Sequence, residues 1–268
     1  MVVFPHGKIN LGLHVVSKRD DGFHNIETCF YPIPWTDILE VIKSESFSFS
    51  SSGTPIPGNA EENLCIKAYH LLQADFNLSP VKIHLHKVIP TGAGLGGGSS
   101  DAAFMLRSLN SLFSLNLSTE QMNSYAAKLG SDCSFFVTDT PKLGRGRGEI
   151  LSPLPVSLKD LYLVIVKPPI HVSTAEAYAG VKPNESVFSL AEILKSPITS
   201  WKEKLTNDFE ESVFEIHPQI NKIKDELYRQ GALYANMSGS GAAVFGIFNT
   251  PVSLKNNFDG DYWAGVLK

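Results

Sequence analysis

The chain has 268 residues, of which 43% are hydrophobic and 19% charged, with a net charge of −4, a composition ordinary for a soluble globular protein with one large core or two modest ones. That charge argues against a nucleic-acid binder driven by phosphate neutralisation, and no apolar run approaches the roughly 20 residues needed to span a bilayer. Cys29, Cys65 and Cys133 show no C-x-x-C spacing, which offers no zinc site and suits a reducing cytoplasm.

The start, Met1-Val-Val-Phe-Pro-His-Gly-Lys8, lacks the basic-then-apolar layout of a signal peptide. Residues 2–16 alternate loosely and predict an irregular strand, on which Lys8 and Asn10 share a face. Residues 36–50 predict two strands, the second over Ser44 to Ser50, and the Ser-, Gly- and Pro-rich stretch from Ser51 to Asn59 predicts a loop. Leu64, Ala68, Leu71 and Leu72 mark a helix that Asn63 can cap. Val81, Ile83 and Leu85 then alternate with Lys82, His84 and His86, the pattern of a half-buried strand. The two histidines share one face, and without a third ligand a solvated face explains them better than a metal does.

The stretch from Pro90 to Ala103 reads P-T-G-A-G-L-G-G-G-S-S-D-A-A, with five glycines among the seven residues from Gly92 to Gly98. Ala102, Met105, Leu106, Leu109, Leu112 and Phe113 follow at helical spacing, and Ser99, Ser100 or Asp101 is expected as the N-cap. A glycine-rich loop running into a helix start is a phosphate cradle, because free amides and the positive end of the helix dipole meet the anion together. Gly92-x-Gly94-x-x-Gly97 formally satisfies the dinucleotide fingerprint, yet the chain continues as helix, loop and helix with no strand to carry the ribose-binding acid. Gly98 is followed by Ser99 and not by the lysine of a Walker loop.

Further on, Ser118-Thr-Glu-Gln121 is a capping box for a helix that Gly130 stops. Gly144-Arg-Gly-Arg-Gly-Glu149 suits an exposed hairpin tip better than a phosphate clamp, and a link is expected at Leu151 to Pro155. Leu161 to Val166 predicts a buried strand, Pro218 to Gln230 a helix with Ile220, Ile223 and Leu227 inside, and Leu233 to Phe248 a hairpin around Ser238-Gly-Ser-Gly241. The mixture predicts an α+β fold in two domains, 1–152 and 153–268.

Three segments in order, Gly7-Lys8-Ile9-Asn10-Leu11-Gly12-Leu13, the Pro90–Ala103 stretch and Met237-Ser238-Gly239-Ser240-Gly241-Ala242, resemble motifs 1 to 3 of the galactokinase, homoserine kinase, mevalonate kinase and phosphomevalonate kinase (GHMP) superfamily. The resemblance implies a two-domain GHMP kinase fold, with a ribosomal-S5-like N-terminal domain and a ferredoxin-like C-terminal domain contributing to the substrate cleft. It implies ATP-dependent phosphorylation of a small-molecule alcohol, with Mg²⁺ accompanying the ATP. Pro90, Gly92, Ala93, Gly94, Leu95, Gly96, Gly97, Gly98, Ser99 and Ser100 would cradle the phosphates, and Ser100 would lie nearest the metal. Asn63, Leu64 and Lys87 would lie around the adenine, although a helix cap, a core leucine and a solvated lysine are equally good readings of them.

Asp132, in Gly130-Ser131-Asp132-Cys133-Ser134, matches the family segment that carries the proposed base, departing from it where Val-Pro commonly follows the acid. An N-cap is the alternative role. Lys8 would be its partner. Asp20-Asp21-Gly22-Phe23-His24 matches the segment that some members place against cytosine, so the expected acceptor is a cytidine diphosphate compound. Tyr178 aligns with the second stacking aromatic, Asn10 would meet the acceptor's alcohol end, and Gly239 would approach by its backbone. No nucleic-acid or membrane partner is expected, and monomer and homodimer both stay open.

Overall fold

The computed structural model describes residues 1–184 and 189–267. The chain forms two compact units, each assembled from separate stretches. One comprises Met1–Gly7, Trp35–Thr91 and Gly96–Asp139; the other comprises Lys8–Pro34, Gly92–Leu95 and Thr140–Lys268.

The first unit is a four-stranded sheet, in the order Val2–Val3, Ile38–Lys43, Val81–Lys87, Ser48–Gly53, packed with helices Leu64–Phe76, Gly97–Leu112 and Thr119–Leu129. Its core joins Leu39, Val41, Val81, Ile83 and Leu85 of the sheet to Ala68, Leu72, Met105, Leu106 and Leu109 of the helices. Each such side chain contributes about 1.5–3 kcal/mol by leaving water. Asn63 caps the first helix by accepting from the Cys65 amide at 2.9 Å, and Ser118 and Gln121 close the expected capping box.

The strand expected at Ser44–Ser50 lies instead at Ser48–Gly53. It runs parallel to Val81–Lys87, which sets Ser50 against His84 and Ser52 against His86. Both serine hydroxyls meet the imidazoles, at 2.8 to 2.9 Å, so residues that read as loop by composition are held in the sheet by cross-strand bonds.

The second unit holds two four-stranded sheets. One runs in the order His6–Lys18, His24–Thr36, Lys142–Arg145, Ile150–Pro153, the first two strands extending at their ends into the other unit. The other is antiparallel, in the order Tyr234–Met237, Val244–Phe248, Tyr162–Lys167, Asp261–Val266. Helix Pro218–Arg229 begins with proline in its first turn and buries Ile220, Ile223 and Leu227, completing a core with Val164, Val166, Ala235, Met237 and Val244. The stretch expected as a link at Leu151–Pro155 begins as the Ile150–Pro153 strand, paired antiparallel with Lys142–Arg145. Local proline content was outweighed there by a free neighbouring strand edge. The Gly144–Glu149 segment is the tip of that hairpin, as expected.

Candidate active site

The glycine-rich loop leaves the Val81–Lys87 strand and enters helix Gly97–Leu112. The helix starts earlier than expected. Its N-cap is Gly96 in the left-handed region (φ 69°), with no side-chain cap, so none of Ser99, Ser100 and Asp101 fills that role. The glycine does what L-residues do at a cost, and first-turn amides uncapped by any side chain remain available for an anion.

Gly94 must be glycine for two reasons: its φ is +75°, and a Cβ there would run into the Ser238 carbonyl. Ser238 Oγ donates to the Gly94 carbonyl at 2.9 Å, and the Ala243 amide donates to the Ala93 carbonyl at 3.2 Å. The Met237–Ala242 turn therefore seats against the loop backbone. Gly239 is part of this approach, since a Cβ there would lie 3.4 Å from the Gly94 carbonyl oxygen.

Lys8 is 3% exposed. Its ammonium donates to Asn10 Oδ1 at 2.6 Å and to the Gly94 carbonyl at 2.8 Å, and it sits 5.5 Å from the centroid of the Phe30 ring. The Asn10 amide is committed on both sides, because its Nδ2 donates to Thr28 Oγ1 at 2.9 Å, and Thr28 donates on to the Gly12 carbonyl at 2.6 Å. Thr28 was not singled out by sequence, and Ser238 entered only as part of the Met237–Ala242 motif, with no partner assigned to it. Both become legible only when separate strands meet.

In the first unit, Asn63, Leu64 and Lys87 line one pocket of about 220 Å³, together with Ile56, Thr91, Gly98 and Asp101. Lys87 is not a solvated lysine. It forms buried ion pairs with Asp37 and, at 2.8 Å, with Asp101, while Asp37 Oδ1 accepts from the Val88 and Ile89 amides at 2.6 and 2.8 Å. The strand end before the loop and the helix after it are thus tied by one cation. Burial pulls the Lys87 pKa down, but Asp101 and Asp37 outweigh it and leave the group raised. Burial pushes the Asp101 carboxyl up to about 7 against the pull of Lys87.

The consequence for stability follows from linkage. From the ordinary value of 3.8 up to about 7, native Asp101 holds a proton that the unfolded chain has released, so this group makes stability fall as pH rises through that window. Asp101→Asn is expected to flatten that slope in urea melts followed across the window. An unchanged slope would assign it to other groups.

Asp132 opens the 3-10 turn Cys133–Val137, yet its side chain makes no cap hydrogen bond to it. Ser100 is fully buried at the helix start, and its hydroxyl has no protein partner. On the acceptor side, His24 and Tyr178 are brought together from distant segments and stack at 4.8 Å with an interplanar angle of 16°. Phe23 is exposed, with the Arg147 guanidinium 4.8 Å from its ring centroid. Among the described residues no three or more His, Cys, Asp or Glu gather as a metal site, and no helix is long and apolar enough to cross a membrane.

A glycine-rich loop at a helix mouth, hydrogen-bonded to a buried lysine and to a second glycine turn, has the form expected of a nucleotide-dependent phosphotransferase. The family models described as GHMP kinases N terminal domain and GHMP kinases C terminal match residues 63–139 and 189–257; the chain belongs to the GHMP kinase family, has its two-domain fold of mixed α and β content, and is an ATP-dependent small-molecule kinase. It is 54% identical over 258 residues to the 4-diphosphocytidyl-2-C-methyl-D-erythritol kinase of Bacteroides thetaiotaomicron, covering 95% of this chain and 94% of that one. The enzyme of the same name from Cytophaga hutchinsonii is 55% identical over 251 residues, 93% of each chain. A crystal structure of 4-(cytidine 5'-diphospho)-2C-methyl-D-erythritol kinase matches with a TM-score of 0.86 at 31% identity, over 100% of this chain and 99% of that one.

Proposed function

We propose that this chain transfers the γ-phosphoryl group of ATP to the 2-hydroxyl of 4-diphosphocytidyl-2-C-methyl-D-erythritol, in the non-mevalonate route to isoprenoids. The observation that carries the acceptor choice is the stack of His24 on Tyr178, two aromatic rings whose edges bear ring nitrogens and a hydroxyl, a combination that suits a pyrimidine. The identity above 50% to enzymes of that name supports it.

In this reading the loop from Pro90 to Ser100 holds the ATP phosphates, and Asn63, Leu64 and Lys87 border the adenine. Asp132 takes the proton from the acceptor hydroxyl. Lys8, aimed by Asn10 and Gly94, lowers that hydroxyl's pKa and offsets charge on the transferring group. Asn10 therefore enters as the residue that orients Lys8, and Gly239 as backbone support for the loop. Phe23 and His24 meet the cytidine with Tyr178. The unpartnered Ser100 hydroxyl fits a ligand that Mg²⁺ could take. Bound there, the ion would neutralise charge on the phosphates.

The decisive assay is coupled ADP release with MgATP and 4-diphosphocytidyl-2-C-methyl-D-erythritol, with mevalonate and homoserine alongside. Turnover of the cytidine compound alone, competed by CDP, is the expected result; turnover of another acceptor would replace this one. Tyr178→Ala is expected to raise KM for the cytidine substrate about 5- to 150-fold, the worth of roughly 1–3 kcal/mol of base stacking, and to leave KM for ATP unchanged. Equal increases in both would remove the platform role.

A further inference from the structure

His6 stands immediately before the Gly7-Lys8 segment, and nucleotide and acceptor binding leave it without a role. Its Nδ1 lies 2.8 Å from the Gly7 carbonyl oxygen and its Nε2 lies 3.0 Å from Asp139 Oδ1. A carbonyl and a carboxylate only accept hydrogen bonds, so each of the two contacts is made by a ring N–H that donates. Arg107 fixes the acid behind the ring, donating to Asp139 Oδ1 at 2.8 Å and to Oδ2 at 3.1 Å. The His6 hydrogen bond, with help from Arg107, holds the Asp139 carboxyl down at about 2, so it stays an acceptor throughout the neutral range. Phe104 meets the imidazole edge-on at 5.6 Å and Phe136 at 5.4 Å.

The Gly7 carbonyl and the Lys8 amide belong to one peptide group. That amide donates to the Leu95 carbonyl of the glycine-rich loop at 2.9 Å. A single peptide plane thus accepts from the imidazole and donates to the phosphate loop, and each bond polarises the other. Tilting this plane would turn the strand that carries Lys8 and would loosen the Leu95 end of the loop. We propose that His6 is a positioning residue for phosphoryl transfer, its doubly donating ring fixing the Gly7–Lys8 peptide and, through it, Lys8 and the loop. The proposal rests on the kinase reading above. The charged groups facing the ring are Asp139 and, behind it, Arg107.

His6→Phe keeps an aromatic ring against Phe104 and Phe136 and removes both donors, while His6→Gln restores one donor. Steady-state kinetics of both variants would be measured alongside wild type, with Tm in parallel. Tm of His6→Phe should stay close to wild type while kcat falls about 10- to 100-fold, the scale set by small misplacement of reacting groups. KM for the acceptor should be little changed, and His6→Gln should recover part of the rate. Nitrogen-15 resonances of the wild-type ring supply a readout that needs no acceptor: two protonated nitrogens are expected where the enzyme is most active. A neutral ring at that pH, or a His6→Phe variant within about twofold of wild type, would overturn the proposal. Absence of wild-type turnover with the cytidine substrate would instead count against the choice of acceptor, and the ring resonances would still decide how His6 is bonded.

Discussion

Asp132→Asn is expected to retain no more than about one part in 10² to 10⁴ of wild-type kcat, the usual worth of a positioned general base. The substitution is nearly isosteric. It removes no cap hydrogen bond from the turn that Asp132 opens, and Tm and ATP affinity measured alongside separate a lost base from a lost fold. Lys8→Met should lower kcat on a similar scale, with some loss of stability as well, because the Gly94 carbonyl and Asn10 Oδ1 both lose the ammonium that donates to them. If the two side chains act as a unit on the acceptor hydroxyl, the double variant will be scarcely slower than the worse single one. Rapid-quench measurement of phosphoryl transfer, with ATP affinity determined separately, checks this. Near wild-type turnover by Asp132→Asn would remove it as the base and return it to a structural role.

Lys87→Met carries the largest expected cost in stability. It leaves the carboxylates of Asp37 and Asp101, both within a few per cent of complete burial, facing each other without their cation. Breaking such a pair costs about 3–5 kcal/mol, which in a chain of this size lowers Tm on the order of 10 °C. The deficit should widen as pH rises, because Asp101 can relieve the repulsion by keeping its proton and its pKa is already raised to about 7 by burial. Adding Asp101→Asn to Lys87→Met should recover part of the loss, since one of the two buried charges is then gone. Thermal melts of the single and double variants on either side of that pH suffice. A single variant that melts within a degree or two of wild type would mean that water reaches the cluster and that the lysine does not tie the loop's two ends.

The cluster also shows where reading along the chain runs out. Asp101 sits inside the most informative stretch of the sequence and reads as an N-cap. Its carboxylate instead turns inward to Lys87, and a glycine opens the helix. Asp37 carries no local signal at all, because its meaning is set by the amides of Val88 and Ile89, distant in sequence and adjacent only once the sheet forms. His24 and Tyr178 likewise acquire a shared face only when their segments come together.

What the sequence determined by itself is what is local or periodic. The glycine-rich loop that runs into a helix, the Asn63 cap, the Ser118 capping box, the alternation of Val81, Ile83 and Leu85, and the three ordered motifs that mark the family each depend on neighbours within a few residues. Short-range sterics and hydrogen bonding act at that range. Only the tertiary structure decided the partners of the charged and polar groups: Lys8 with Asn10 and Gly94, Lys87 with two acids, His6 between a carbonyl and a carboxylate, and Ser50 and Ser52 with a histidine pair. Burial favours the Lys8 and Lys87 pairings, because a charge withdrawn from water needs partners, whereas the His6–Asp139 and serine–histidine bonds form at the surface. Which partner each group finds depends on strands and loops that only the folded chain brings side by side.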